Sequence, residues 1–248
     1  MPERHLDFHP PVIAHRGARN RAPENTLAAF EAARADGVLW IETDVKLTSD
    51  GVPILMHDET LDRTTNMRGL VADTMWADMQ TCDAGGWFNA SFAGERIPTL
   101  ADALAFSRAT GMRFNFELKP CPGRARATAM VALIEAAKLW PESAPPPLIS
   151  SFDIEALTIA AQLHPGWPRG LLLEEWRDDW REIATRTNAT SLHLNAESLT
   201  PERLVTLRET HVSTLAYTVN DPARARDLLN AGVCAVFTDN PAEILKAI

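Results

Sequence analysis

The sequence predicts a (β/α)8 TIM barrel, an α/β fold, carrying a small insertion subdomain after its His57-Asp58 strand. In the second half of the chain, short apolar runs begin near Leu148, Gly170, Ser191, Thr214 and Cys234. They recur about every 21 residues with helical stretches between them, the rhythm of parallel βα units. The runs are mostly apolar, as expected of strands covered on both faces. Polar residues gather at the ends of such runs: His15-Arg16-Gly17, Glu42-x-Asp44, His57-Asp58 and Glu117-x-Lys119. A barrel carries its chemistry at the C-terminal ends of its strands. The competing fold is the doubly wound open sheet, which the lack of Gly-x-Gly-x-x-Gly after the first strand weakens.

Taken in order, strands are expected at 12–15, 40–46, 52–57 and 113–118, followed by LISSF, GLLLE, SLHLN, TLAYTVN and CAVFTD. Asn25-Thr26 opens a helix that runs to about Asp36 and ends at Gly37. Thr99 precedes a second, over 100–109, ended by Gly111. Thr200-Pro201 and Asp221-Pro222 each combine an N-cap with proline at the first helical position, and Gly232 ends the latter helix. That makes nine strand candidates for an eight-stranded barrel. Asp50-Gly51 is a hairpin signal, so the surplus strand belongs to a hairpin rising above the barrel. Such a hairpin returns His57 to the rim that holds Glu42 and Asp44. Residues 58–98 hold Gly69, Gly85-Gly86, Trp87 and Gly94 without a βα period. A structureless stretch of that length is uncommon in a compact domain, so it reads as an inserted subdomain within one domain spanning 1–248.

The chain has 248 residues, 46% of them hydrophobic, enough for a sizeable core. A net charge of −9 argues against a nucleic-acid partner, which needs a basic face. Attraction for an anionic substrate must then be local. Cys82, Cys121 and Cys234 form neither a disulfide framework nor a Cys-x-x-Cys pair. No run approaches the roughly 20 apolar residues of a membrane span. The chain reaches its first strand near Val12, leaving no apolar signal segment, so a cytoplasmic protein with reduced thiols is expected.

Strand side chains alternate faces, so Glu42 and Asp44 point the same way. Inward acids are costly unless something positive lies between them. With Glu117 they make three carboxylates suited to a hard divalent cation: Mg²⁺ first, with Ca²⁺, Mn²⁺ or Co²⁺ as others. Salt-bridged rim acids are the plainer reading. His15 and His57 suit an acid–base pair, since histidine titrates near neutrality. His5, His9, His164, His193 and His211 lack a neighbouring Arg or Asp at that rim, although His193 also ends a strand-like run and can face the site. Arg16 and Lys119 suit phosphate binding. A salt bridge from Arg16 to Glu24 or Asp44 is the rival, and Glu24 and Asn25 suit orientation of the first loop.

Phe152 and Tyr217 follow strands and can pack against a substrate, with the apolar core as the rival place for Phe152. Trp176 and Trp180, four apart, predict one packed helix face. Nothing near Cys121 would make it a nucleophile. Neither a Gly-x-Ser-x-Gly elbow nor a P-loop occurs, which argues against serine-hydrolase and nucleotide chemistry.

His15-Arg16-Gly17, Pro23-Glu24-Asn25-Thr26, Ile41-Glu42-x-Asp44-Val45, Asp50-Gly51 and His57-Asp58, in that order, resemble the signature of glycerophosphodiester phosphodiesterases. Leu61-x-Arg63-Thr64, Ile97-Pro98-Thr99-Leu100, Glu117-x-Lys119-Pro120, Ser150-Ser151-Phe152 and Thr238-Asp239 continue the likeness. The stretch 170–182 and Tyr217-Thr218-Val219-Asn220 resemble the cytosolic bacterial branch encoded with the glycerol-3-phosphate uptake (Ugp) transporter. The resemblance implies a barrel with an insertion, a divalent cation, and hydrolysis of glycerophosphodiesters to sn-glycerol 3-phosphate and an alcohol. The implied partner is a small molecule, without stable membrane association.

With a histidine pair, the glycerol 2-hydroxyl can attack phosphorus to give a cyclic 1,2-phosphate; direct attack by water is the rival route. The alternatives in function are a phospholipase-like lipid phosphodiesterase on the same barrel, a non-catalytic glycerophosphodiester binder, and an unrelated barrel enzyme such as an aldolase or isomerase.

Overall fold

The structure, a computed structural model, describes residues 6–141, 144–210 and 212–248; His5 and His211 lie outside them. Its strands are β1 (Val12–His15), β2 (Trp40–Leu47), β3 (Pro53–Leu55), β4 (Arg113–Leu118), β5 (Leu148–Ser151), β6 (Arg169–Leu173), β7 (Ser191–Asn195), β8 (Ser213–Tyr217) and β9 (Ala235–Thr238). They form one sheet in the order β1-β9-β8-β7-β6-β5-β4-β2-β3, and β1 also pairs with β2. All but β3 are parallel, and the β1–β2 pairing closes them into an eight-stranded barrel.

β3 is the surplus strand, and β2 is long enough to serve two partners. Trp40, Ile41 and Glu42 pair with β1, whereas Val45, Lys46 and Leu47 pair antiparallel with Leu55, Ile54 and Pro53 of β3. The hairpin turn uses Gly51 at φ 85°, where a side chain would be strained. The strand stops at Leu55, two residues short of His57, which stands on the loop beyond it.

The helices are α1 (Leu27–Asp36), α2 (Trp76–Met79), α3 (Leu100–Thr110), α4 (Ala125–Leu139), α5 (Ile154–Leu163), α6 (Trp180–Thr187), α7 (Pro201–Arg208), α8 (Pro222–Asn230) and α9 (Pro241–Ala247). Thr26, Thr200 and Asp221 cap α1, α7 and α8 through their side chains, and Thr99 with Asp102 forms a capping box on α3. Each such cap contributes about 1 kcal/mol. Gly37 and Gly111 close α1 and α3 in the left-handed conformation.

Trp176 and Trp180 do not share a helix face: α6 starts at Trp180, and Trp176 precedes it in the loop. Asp179 and Arg177 pair with each other at 2.8 Å in that loop, and the helix begins beyond them. The two indoles still meet edge to face at 6.3 Å, with Arg203 over Trp176.

Alternation along the strands sorts the side chains into two layers. One parity faces the helices, where Val12, Ala14, Ile41, Phe114, Phe116, Leu192 and Leu194 join a continuous apolar layer. The other faces the barrel interior. There Ile13, Trp40, Leu148, Leu215, Ala235 and Phe237 fill the lower part, with Phe8 packed on Trp40 at 5.0 Å. Residues 58–98 hold little regular structure beyond α2 and two short 3₁₀ turns. They bury Leu61, Val71, Met79, Cys82, Ala84 and Ile97 against Ile54 and Met56 of the hairpin region and against Cys121. Among the described residues, no helix is long and apolar enough to cross a membrane.

Candidate active site

Inward parity on neighbouring strands brings the polar run ends together. His15 ends β1, Glu42 and Asp44 lie on β2, and Glu117 lies on β4. Register places His15 beside Glu42 and Asp44 beside Glu117. One carboxylate oxygen from each of Glu42, Asp44 and Glu117 lies within 4.8 Å of the others, and all three residues are buried. A cavity of about 170 Å³ opens over them, lined by His15, Arg16, Glu42, His57, Asn115, Glu117, Lys119, Phe152, Leu172, His193, Tyr217, Thr218 and Phe237.

Three buried acids this close repel one another. Burial and the Asp44 charge push Glu42 well above the ordinary carboxylate range, and push Glu117 up to about 7. Burial also opposes ionisation of Asp44, but Arg16 and Lys119 outweigh it and hold Asp44 low. The Glu42 Oε1 atom is buried without a hydrogen-bond partner among the described residues. An oxygen-rich, partly unsatisfied cluster of this kind fits a hard divalent cation, so these residues could hold one.

The two candidate phosphate cations sit differently. Arg16 is buried, in the left-handed conformation at φ 58°, with Nη1 2.9 Å from Glu24 Oε1 and Nε 3.2 Å from Asp44 Oδ2. The expected rival reading of Arg16 is therefore realised in full, and its backbone N–H also donates to Glu42 Oε2 at 3.1 Å. Lys119 is more open. Its Nζ lies 2.8 Å from Glu117 Oε1, 3.5 Å from Asp44 Oδ1 and 5.4 Å from the Phe152 ring centre.

Both histidines are anchored through Nδ1. His15 Nδ1 lies 2.7 Å from Asp239 Oδ1, and His57 Nδ1 lies 2.7 Å from Asp58 Oδ1. Each carboxylate thereby selects the tautomer with the proton on Nδ1, which leaves the Nε2 lone pair as the basic site. Burial lowers the pKa of both rings, against the opposing pull of these carboxylates and of Asp44. Arg63 donates to Asp58 Oδ2 at 2.7 Å and to Glu24 Oε1 at 2.7 Å. One ionic chain thus runs from His57 through Asp58, Arg63, Glu24 and Arg16 to Asp44. Asn25, also left-handed at φ 57°, donates from Nδ2 to Asp44 Oδ2 at 2.9 Å and accepts from Thr43 at 2.7 Å. Glu24 and Asn25 accordingly fix the first loop to the acidic cluster.

Phe152 and Tyr217 face each other at the rim, ring centres 5.9 Å apart and edge to face. Phe152 is 39% exposed, so the core is not its place. The Tyr217 hydroxyl donates to the Leu173 carbonyl at 2.9 Å. Cys121 is buried in the small apolar cluster, where burial pushes its thiol up.

Sequence reasoning gave no role to Asp239, Arg63 or Asn115. Asn115 stands two residues before Glu117, and Asp239 follows a strand end, so alternation and strand-end position were the signals for both. For Arg63, on an irregular loop, no periodic signal exists.

Residues 15–243 match the family model described as the Glycerophosphoryl diester phosphodiesterase family. A glycerophosphodiester phosphodiesterase of Caldanaerobacter subterraneus is 34% identical over 96% of this chain and 97% of its own. One of Bacillus subtilis is 32% identical over 93% of this chain and 83% of its own. Among solved structures, a phosphodiesterase of Oleispira antarctica in complex with the product sn-glycerol 3-phosphate superposes with a TM-score of 0.93, at 37% identity, covering 96% of each chain. With the barrel, the ordered motifs and these likenesses in agreement, the chain belongs to the glycerophosphoryl diester phosphodiesterase family.

Proposed function

We propose that the protein catalyses divalent-metal-dependent hydrolysis of glycerophosphodiesters to sn-glycerol 3-phosphate and an alcohol. The observation that carries this reading is the three-carboxylate cluster sharing one cavity with two Nδ1-anchored histidines and with Lys119. The product bound to the Oleispira antarctica relative supports the identity of the released phosphate. The resemblance to the cytosolic branch supports a cytoplasmic setting.

Glu42, Asp44 and Glu117 would hold the cation, an all-oxygen donor set that suits a hard divalent ion such as Mg²⁺ or Ca²⁺. When bound, it supplies charge neutralisation at the phosphoryl oxygens and acidification of a coordinated hydroxyl. Lys119 gives the phosphate a compact positive charge at the cavity mouth. Arg16, held between Glu24 and Asp44, adds positive potential and keeps Asp44 ionised and in place. The free Nε2 of one histidine takes the proton of the attacking hydroxyl, while that of the other delivers a proton to the departing alcohol oxygen. With the glycerol 2-hydroxyl as nucleophile, its oxygen bonds to phosphorus as the P–O bond to the alcohol breaks. Water then opens the cyclic phosphate with the histidine roles exchanged.

Product analysis tests the reading. From glycerophosphocholine, the expected products are sn-glycerol 3-phosphate and choline. Glycerol and phosphocholine, or preferential cleavage of a lysophospholipid, would overturn it. A 2-deoxy substrate separates the two routes: normal turnover would exclude the 2-hydroxyl as nucleophile.

A further inference from the structure

Below the three carboxylates, a polar floor separates the cavity from the apolar lower part of the barrel interior. Asn115, Ser150, Ser191 and His193 form it, and all four are fully buried. Asn115 Nδ2 donates to Ser150 Oγ at 3.0 Å, which leaves Oδ1 as the other end of the amide. His193 Nε2 lies 2.9 Å from Ser191 Oγ. Two buried atoms, Asn115 Oδ1 and His193 Nδ1, are left without a hydrogen-bond partner among the described residues. Buried polar groups are ordinarily paired, so two orphans on one cavity need an explanation. Both residues line the cavity that also holds Glu42, Glu117, His15 and His57.

The imidazole is fitted in, not merely tolerated. A Cβ on Gly170 would lie 2.3 Å from His193 Nε2, so the neighbouring strand gives up its side chain to make room for the ring. On the other side the ring packs on Phe237, centres 5.1 Å apart. Burial drives the His193 pKa down to about 3, so the ring is neutral at physiological pH, with one N–H and one lone pair.

If Ser191 donates to the Arg169 carbonyl, 3.4 Å away, His193 Nε2–H donates to Ser191 and Nδ1 accepts. If Ser191 donates to Nε2 instead, Nδ1–H is a donor. A hydroxyl satisfies either arrangement, because it can donate and accept. The Asn115 oxygen asks for a donor, which a hydroxyl also supplies. The floor carries no net charge, whereas Arg16 and Lys119 lie above it. A ligand with a phosphate at one end and a neutral hydroxyl at the other matches that polarity.

Resting on the phosphodiesterase reading above, we propose that Asn115 and His193 are specificity-determining residues that recognise the terminal hydroxyl of the glycerol moiety. The phosphate stays among the cations, the 2-hydroxyl lies one carbon above, and the terminal hydroxyl reaches the floor. An acyl chain on that hydroxyl removes its proton, leaving the buried Asn115 oxygen without a donor.

The test compares glycerophosphocholine with the analogue in which a methyl group replaces the terminal hydroxymethyl group and the 2-hydroxyl is kept. The wild-type protein, supplied with Mg²⁺, should show kcat/KM about 10- to 100-fold lower on the analogue, the effect of leaving buried partners unpaired. His193→Leu should lose a similar factor on glycerophosphocholine and little on the analogue, so that the preference collapses. His193→Gln, which restores a polar end, should regain part of it. Loss of both activities in equal proportion would mark His193 as structural and overturn the proposal. The wild-type comparison needs no substitution, so indifference of the wild type to the terminal hydroxyl overturns it even where a variant fails to fold. Turnover without discrimination thus sinks this inference alone, whereas no turnover of either substrate sinks the phosphodiesterase reading and this inference with it.

Discussion

Oδ1 of Asp239 lies 2.7 Å from Nδ1 of His15, a contact made across 224 positions of sequence. Asn220 holds the other carboxylate oxygen at 2.9 Å, so the acid is itself fixed. The β1–β9 pairing, which joins the first strand of the barrel to the last, is what brings these ends together. Pairing of the first and last strands and orientation of His15 are therefore one structural event.

His15→Ala and His57→Ala should each lower turnover by about 10²–10⁴-fold, the usual range for loss of a general acid or base. Asp239→Asn keeps the shape but removes the charge that supports His15, and should cost about 10- to 100-fold, as for a hydrogen bond to a charged group. Steady-state kinetics with circular dichroism as a fold control checks all three. Near wild-type kcat in either alanine variant removes that histidine from the proton-transfer pair.

Much of this was legible in the sequence because both barrel and site rest on alternation and on strand ends. Glu42-x-Asp44 and Glu117-x-Lys119 stand where period-two patterning places them, and Asp50-Gly51 announced the extra strand. What was hidden depends on contacts between distant segments. Arg63 reaches Glu24 from an irregular loop, and the Trp176–Trp180 spacing imitated a helix face that the chain does not form. His193 looked unaccompanied because its partners, Gly170 on the adjacent strand β6 and Phe237 on β9, two strands away around the barrel, are far from it in sequence.

Glu42→Gln should weaken the response to metal. A cation that binds only the folded protein stabilises it by about 2.7 kcal/mol at a hundredfold excess over Kd. Thermal melts across a Mg²⁺ titration should show Tm rising for the wild type, with the variant needing at least about tenfold more metal for the same rise. Superimposable titrations would remove Glu42 from the ligand set.

The acidic cluster also makes a pH prediction for metal-free protein. Burial and Asp44 raise Glu117 to about 7, so between the ordinary carboxylate range and that value the folded state holds a proton the unfolded chain has released. That contribution to stability is present at the acid end of the window and is lost as pH rises through it. Glu117→Gln mimics the protonated form, so its Tm advantage over wild type should grow from pH 5 to pH 8 in EDTA, by the equivalent of about 1–3 kcal/mol. A constant difference would contradict the raised value. Asp44 is held low and acts oppositely, its contribution vanishing only in more acidic solution.

Gly170→Ala should destabilise the fold by about 1–3 kcal/mol, because the new methyl meets the His193 ring. His193→Ala in the same chain should relieve most of that cost. Denaturant unfolding of the two single variants and the double variant checks it. Additive effects would show that the two residues do not share the space.

The most direct test of metal-dependent phosphodiester hydrolysis is release of sn-glycerol 3-phosphate from glycerophosphocholine by the purified protein, measured with Mg²⁺, after EDTA, and after restoring Mg²⁺. Release that EDTA abolishes and Mg²⁺ restores is the predicted result. Undiminished release in EDTA, or none with Mg²⁺, Mn²⁺, Co²⁺ or Ca²⁺ from a folded protein, would contradict the account.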